Sequence, residues 1–488
     1  MKRTLIMLAI TGVMALASCH KPIGDNPFND EKLESKLGAT NVTVSCPPTV
    51  LSGTISTNTT LTTGTSYLLS GNVVVDGATL TIQPGVVVMG EKSSNGALII
   101  KPNAQISAVG TITSPIVFTS DQAAGSRAAG DWFGVAILGN APNNQSNSIN
   151  LTINSSTFNF GGPSSASSSG NFEYVQIHYA GAGGGSSDVL TESSLILGSV
   201  GSGMTVKNVQ ISNSLKDGLG VWGGEAGVKK VFTHKISRSD FRMSQGYRGN
   251  VQNIFGFKDD ASTTVTTIPS LEVSNYLRGS NNSPFTYPTI SNASLLGGSY
   301  CASGDTDFKT AVLIRNNGDA RIYNSVIEGF SQYGLYLDDA GIVAKTASGT
   351  DQLQFSHNSI LSSATVPYGN GLGATTWFAA GGCSANSLNT MTDWLTAGPP
   401  PSCRESGNQI NGGIVSGYYN SSLCGDKCSS FPNLYINTST SDLDVPDYSM
   451  LGAFFDQPDY RGALQSSMDT WLVNTWIDFC QQTRNYCL

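Results

Sequence analysis

Apolar residues enter this chain in short runs set apart by turn-forming groups. Between positions 73 and 118 the runs are Val73-Val74-Val75, Leu80-Thr81-Ile82, Val86-Val87-Val88, Leu98-Ile99-Ile100, Ile106 and Ile116-Val117-Phe118. The breaks are Asp76-Gly77, Pro84-Gly85, Asn95-Gly96, Lys101-Pro102-Asn103 and Gly110. Each run has the length of a β-strand, and the breaks hold the residues that turn a chain. Strands this short cannot bury a face alone, so the pattern predicts stacking on copies of themselves. At roughly 20–25 residues per coil, about a dozen coils rising ~4.8 Å each make a rod on the order of 50–60 Å long.

A second pattern supports the stacking. Val206-Lys207-Asn208, Ile211, Gly218-Leu219 and Val221 superimpose without a gap on Ile322-Tyr323-Asn324, Ile327, Gly334-Leu335 and Leu337. In both copies apolar residues alternate, polar residues turn the chain and a Gly introduces the next strand. The predicted fold class is all-β, a right-handed parallel β-helix (solenoid) with long side loops and a C-terminal cap. A β-propeller would need four-stranded blades with a period of about 40 residues, and none is visible.

Composition agrees. Charged residues make up only 12% of the 488 residues and Gly reaches 55, which disfavours long charged helices and suits short strands with tight turns. At this length one compact sphere is unusual, whereas a solenoid has no such limit.

The N-terminus carries an address. Lys2 and Arg3 precede an apolar stretch over 5–16, and Leu16-Ala17-Ser18 stand before Cys19. This is the layout of a secretory signal, and it resembles a bacterial lipobox in which Cys19 is lipidated. Nothing downstream is apolar enough to span a bilayer, so the expectation is a domain hung from a membrane by lipid. The boundaries read as signal peptide 1–18, lipidated Cys and polar tether 19–45, β-helix 46–443 and C-terminal cap 444–488. Loop insertions are placed near 141–171, 261–310 and 362–435. Without Lys2 and Arg3 the chain holds 24 basic and 34 acidic side chains, a formal charge of −10, which argues against nucleic acid as a partner.

Eight cysteines follow Cys19, and an even number outside the cytoplasm fits disulfides. The close pairs Cys424/Cys428 and Cys480/Cys487, with Cys383/Cys403, are the expected local staples. Zinc at Cys424 and Cys428 lacks two further ligands, so no metal and no cofactor is expected.

The chain also resembles a known family. The stretch Gly77-Ala78-Thr79-Leu80-Thr81-Ile82-Gln83-Pro84-Gly85, then Ala97-Leu98-Ile99-Ile100, Pro115-Ile116-Val117-Phe118-Thr119-Ser120 and Asp131-Trp132-Phe133-Gly134-Val135-Ala136-Ile137-Leu138-Gly139 is similar to bacterial surface lipoproteins with right-handed parallel β-helix bodies. So are Leu195-Ile196-Leu197-Gly198-Ser199, Trp222-Gly223-Gly224, Gln245-Gly246-Tyr247-Arg248-Gly249, Phe454-Phe455, Tyr460-Arg461-Gly462-Ala463 and the segment 471–479. The resemblance implies the fold far more than an activity. It also marks a departure, because the acid-rich turns of such relatives are replaced here by Lys216-Asp217-Gly218-Leu219-Gly220 and Arg238-Ser239-Asp240-Phe241-Arg242. Any cation those acids hold in relatives is lost here.

Catalytic constellations are sparse. Asp259-Asp260 and Asp338-Asp339 read as turn acids, since neighbours on a strand face opposite ways. His178 alternates with Gln176 and Tyr174 and reads as a surface histidine, with general acid/base work as its alternative. Charge is distinctive only between Thr205 and Lys258, where nine basic residues face three acids. This +6 segment suggests an anion-facing patch of Lys216, Lys235, Arg238, Arg242 and Arg248, against the plainer reading of a solvated face. The functional expectation is an outer-membrane lipoprotein that presents loops to polysaccharide or protein partners without catalysis. A polysaccharide lyase or glycoside hydrolase, and an accessory subunit of an outer-membrane complex, are the alternatives.

Overall fold

The computed structural model describes residues 45–183, 193–259, 268–276, 281–298, 308–347, 353–361, 368–371, 390–396, 403–410, 423, 426–435, 445–464, 471–473 and 475–486. Twenty-seven strands are hydrogen-bonded into one continuous set, and a separate pair forms a hairpin. The 27 strands wind as a parallel β-helix with three faces. Sheet 1 runs from Thr59–Leu61 through the first residues of Thr205–Ser214 and Gly227–Ile236 to Gln354–Ser356. Sheet 2 takes the ends of those same long strands, and sheet 3 holds Asp217–Trp222, Phe241–Ser244, Leu271–Ser274 and their neighbours.

The alternation that predicted strands sets the core. Inward residues stack in columns, as in Ile82, Ala108, Phe172, Val206, Val228, Val251, Ile290, Ile322 and Phe355 of sheet 1. All of them lie in one buried apolar cluster. The repeat falls in phase, since Val206 and Ile322 share this column, and Ile211 and Ile327 share the matching column of sheet 2. Corners between sheets 1 and 2 take left-handed backbone at Asn208, Lys230, Asn253, Asn292 and Asn324. Asn tolerates that region better than most residues, which explains its recurrence there.

Three expectations are corrected. The 141–171 insertion is not a plain loop, because Ile149–Ile153 and Ser156–Phe160 pair antiparallel. Ile149, Leu151, Ile153 and Phe160 cover Ile99, Ala136, Ile196 and Trp222 on the outer side of sheet 3. Within 261–310, Leu271–Ser274, Thr289–Ser291 and Ser294–Leu296 are regular rungs. The described part of 444–488 lies along the flank instead of capping the last coil. Phe232, Phe255, Phe257 and Leu296 point outward from sheet 2, and Trp471, Trp476 and Ile477 bury them.

The disulfide pairing is corrected as well. Cys428 bonds Cys480 across 52 residues, so neither Cys424/Cys428 nor Cys480/Cys487 forms. The two segments meet on the same flank, where Phe431 and Phe479 pack edge to face. Cys46 and Cys403 are also disulfide-bonded. Cys383, Cys424, Cys487, the expected lipidation residue Cys19 and the expected tether lie outside the described residues. Among the described residues no helix is long and apolar enough to cross a membrane.

Candidate functional site

The basic segment wraps two corners of the β-helix, and most of its charge meets acids that the register brings beside it. Arg242 follows Gly220 and precedes Glu272 in an outward column of sheet 3. Its guanidinium is 3.2 Å from Asp217 Oδ2 and 3.3 Å from Glu272 Oε1, and Arg315 reaches the same Glu272 at 2.9 Å. Arg238 lies 3.6 Å from Asp217, whose carboxylate also accepts the Ser239 N–H. Arg242 is buried, so this member of the expected patch faces two acids of its own chain instead of an external anion. Lys207 pairs with Glu173, and Lys229 pairs with Asp456.

Lys216, Lys235 and Arg238 are half-buried around the corner from sheet 2 to sheet 3, where Lys235 takes left-handed backbone. Arg248 belongs elsewhere, at the corner from sheet 3 to sheet 1. There it is exposed, and its guanidinium lies 5.2 Å from the ring centre of Tyr287. Arg321 lies 4.9 Å from the same ring. Three backbone hydrogen bonds fix this corner: Tyr287 N–H to Tyr247 O, Arg248 N–H to Gly224 O and Arg321 N–H to Pro288 O. Arg321 makes no ion pair among the described residues, and its buried Nε lacks a partner. Two guanidiniums held on one aromatic ring are a preorganised cation pair. The charge count along the sequence found Arg248 but not Arg321, which lies 73 positions downstream.

His178 and His234 are not surface groups. His178 and His234 stand two coils apart in one outward column of sheet 2, with Ser212 between them. The C-terminal segment covers both, and Phe479 packs edge-on to His234. Burial pushes His178 down to about 4, and its Nε2 lies 3.2 Å from Gln176 Oε1. Burial also lowers His234, although its Nε2 is 2.9 Å from Asp259. Burial acts to raise Asp259, but the bonds from His234 and Lys427 outweigh it and draw the carboxyl to about 2. Asp339 is a turn acid, accepting the Ile342 N–H at the start of the helix Ala340–Ala344. Asp260 lies outside the described residues.

One titrating group escaped the sequence reading. Glu405 is buried, accepts a hydrogen bond from Ser356 Oγ, and is pushed by burial up to about 7. It sits in a stretch without strand periodicity, which gave no signal. Among the described residues no cluster of three or more His, Cys, Asp or Glu could hold a metal ion.

Residues 53–375 match the family model described as a pectate-lyase like beta helix domain. The chain belongs to that family. No curated protein matches it, and no solved structure matches it. The pectate-lyase like beta helix domain takes in Arg248, Tyr287 and Arg321, and leaves outside it the C-terminal segment that buries the two histidines.

Proposed function

We propose that this chain is an outer-membrane lipoprotein, held by lipid on Cys19, whose β-helical rod binds an acidic polysaccharide without cleaving it. The observation that carries the reading is the corner at Tyr287, where Arg248 and Arg321 share one ring and Arg321 has no acid partner among the described residues. A guanidinium on an aromatic platform keeps its planar donors aimed outward for carboxylate or sulfate. The Lys216, Lys235 and Arg238 corner adds long-range positive potential. A catalytic reading draws on Glu405, since a carboxyl near 7 suits a general acid. Ser356 and buried surroundings occupy that group, so binding is preferred.

The test is retention of the detergent-solubilised protein on polygalacturonate and on neutral dextran, with release of new reducing or unsaturated ends scored in parallel. Retention on the acidic polymer alone is expected, weakening with salt and falling at least tenfold in an Arg248→Ser/Arg321→Ser variant. Equal retention on dextran, or no change in the variant, refutes the site. New chain ends would make the protein an enzyme.

A further inference from the structure

Two charged side chains sit inside the β-helix where its pattern calls for aliphatic ones. The inward column of sheet 2 reads Ile177, Ile211, Thr233, Gly256, Leu295, Ile327. Thr233 and Gly256 break the aliphatic series at adjacent coils, and the space they free is taken by Asp240 and Lys258. A Cβ on Gly256 would come within 3.1 Å of Asp240 Cγ, so glycine is what admits the carboxyl. Neither Asp240 nor Lys258 has any solvent exposure, and Lys258 Nζ lies 3.3 Å from Asp240 Oδ2.

The hydrogen bonds can be met by an uncharged pair as well as by an ion pair. Lys258 Nζ donates to Ile236 O at 3.1 Å and to Arg238 O. A neutral amine has two N–H bonds and one lone pair. With both N–H groups on carbonyls, the lone pair is left for the carboxyl. Thr233 Oγ1 donates to Asp240 Oδ1 at 2.9 Å, and Ser270 Oγ donates to Oδ2 at 2.6 Å. Both carboxyl oxygens are thus polarised by hydroxyls, which draws electrons from Cγ and stabilises charge that gathers on oxygen during attack. The ring centre of Phe308 lies 4.8 Å from Nζ and adds apolar cover. Burial raises Asp240 and lowers Lys258, in both cases against the charged form.

We propose that Lys258 and Asp240 join in an intramolecular amide bond. The Lys258 nitrogen attacks Asp240 Cγ, an N–C bond forms and one C–O bond breaks. The departing oxygen carries the carboxyl proton and one amine proton away as water. Nothing is oxidised or reduced, and no co-reactant is needed. Fixed proximity supplies the effective concentration, and a water-poor interior favours loss of water. The bond ties one coil to the next at the corner between sheets 2 and 3, a covalent brace for a rod exposed to pulling and proteolysis. It is independent of any glycan binding.

The test is a tryptic digest of the denatured, reduced and alkylated full-length protein, read by mass spectrometry. Cleavage after Arg238 and Arg242 isolates Ser239-Asp240-Phe241-Arg242, and cleavage after Arg248 opens the peptide that contains Lys258. The expected product is a branched peptide joining the two, lighter than their sum by one water and uncut after Lys258. A Lys258→Arg variant should release the free tetrapeptide instead. Free tetrapeptide in full yield from the wild-type protein overturns the proposal and leaves a buried ion pair, and this reading stands whether or not the variant folds.

Discussion

Glu405 illustrates how one side chain sets a pH dependence. Its carboxyl is raised from the ordinary 4.5 to about 7, chiefly by burial, with bonds from the Ser356 side chain and the Phe355 backbone opposing the shift. Below pH 4.5 it is neutral in folded and unfolded chains and costs nothing. As pH rises from there to about 7 the unfolded chain ionises first, so stability falls, by roughly 2–4 kcal/mol in total. Glu405→Gln should remove that fall, so that hydrogen-exchange protection factors around 403–410, which divide out the intrinsic pH dependence of exchange, are the same at pH 5 and pH 8. Equal protection factors in the wild-type protein at both pH values would refute it. Residue-level chemistry was the least legible layer of the sequence. Arg242 read as an exposed cation because its acids, Asp217 and Glu272, are 25 and 30 positions away and meet it only through the coil register. Arg321 was missed for the same reason.

At the scale of elements the sequence was more open. Short apolar runs became strands, and the repeat of 206–221 at 322–337 fell into the same columns, because one buried face imposes a period of two and each coil must match the next. The hairpin at 149–160 was missed, although its pattern is present. Ile149, Leu151 and Ile153 alternate before Asn154-Ser155, and both turn residues take positive φ, as a two-residue hairpin turn requires. The surrounding Asn and Ser hid it as a loop. The corner asparagines carry a prediction at this level. Asn253 has φ 55° and donates Nδ2 to Ala463 O at 2.9 Å. Asn253→Ala should cost about 1–3 kcal/mol, from backbone strain and one lost hydrogen bond to a carbonyl that Trp471 Nε1 still serves, while Asn253→Gly should cost visibly less. Urea midpoints decide it, and equal losses for Ala and Gly would mean that the left-handed corner contributes nothing.

For the whole molecule, the C-terminal segment changes what kind of solenoid this is. Coils touch only their neighbours, so a bare β-helix is quasi-one-dimensional and can fray or unfold in steps. Here side-chain amides on the flank grip a returning chain by its backbone. Asn324 brackets Asp447, Gln252 brackets Asp456 and Gln210 brackets Asp478, each giving an N–H to the carbonyl and taking the amide N–H in return. Further on, Tyr486 packs with Val87, Met89 and Val117, and Arg127 donates to the carbonyls of Gln481 and Arg484. Late coils are thus tied to early ones. None of this was readable beforehand, because outward glutamines look solvated and the segment has no period. Deleting 445–488 should expose Phe232, Phe255, Phe257 and Leu296, and with them a surface that binds an apolar dye. It should also split one cooperative urea transition into a broad or stepwise one with a lower midpoint. A truncated chain that keeps a single sharp transition and binds no dye would show that neighbour-to-neighbour stacking alone makes the rod cooperative, and that the returning segment only decorates its flank.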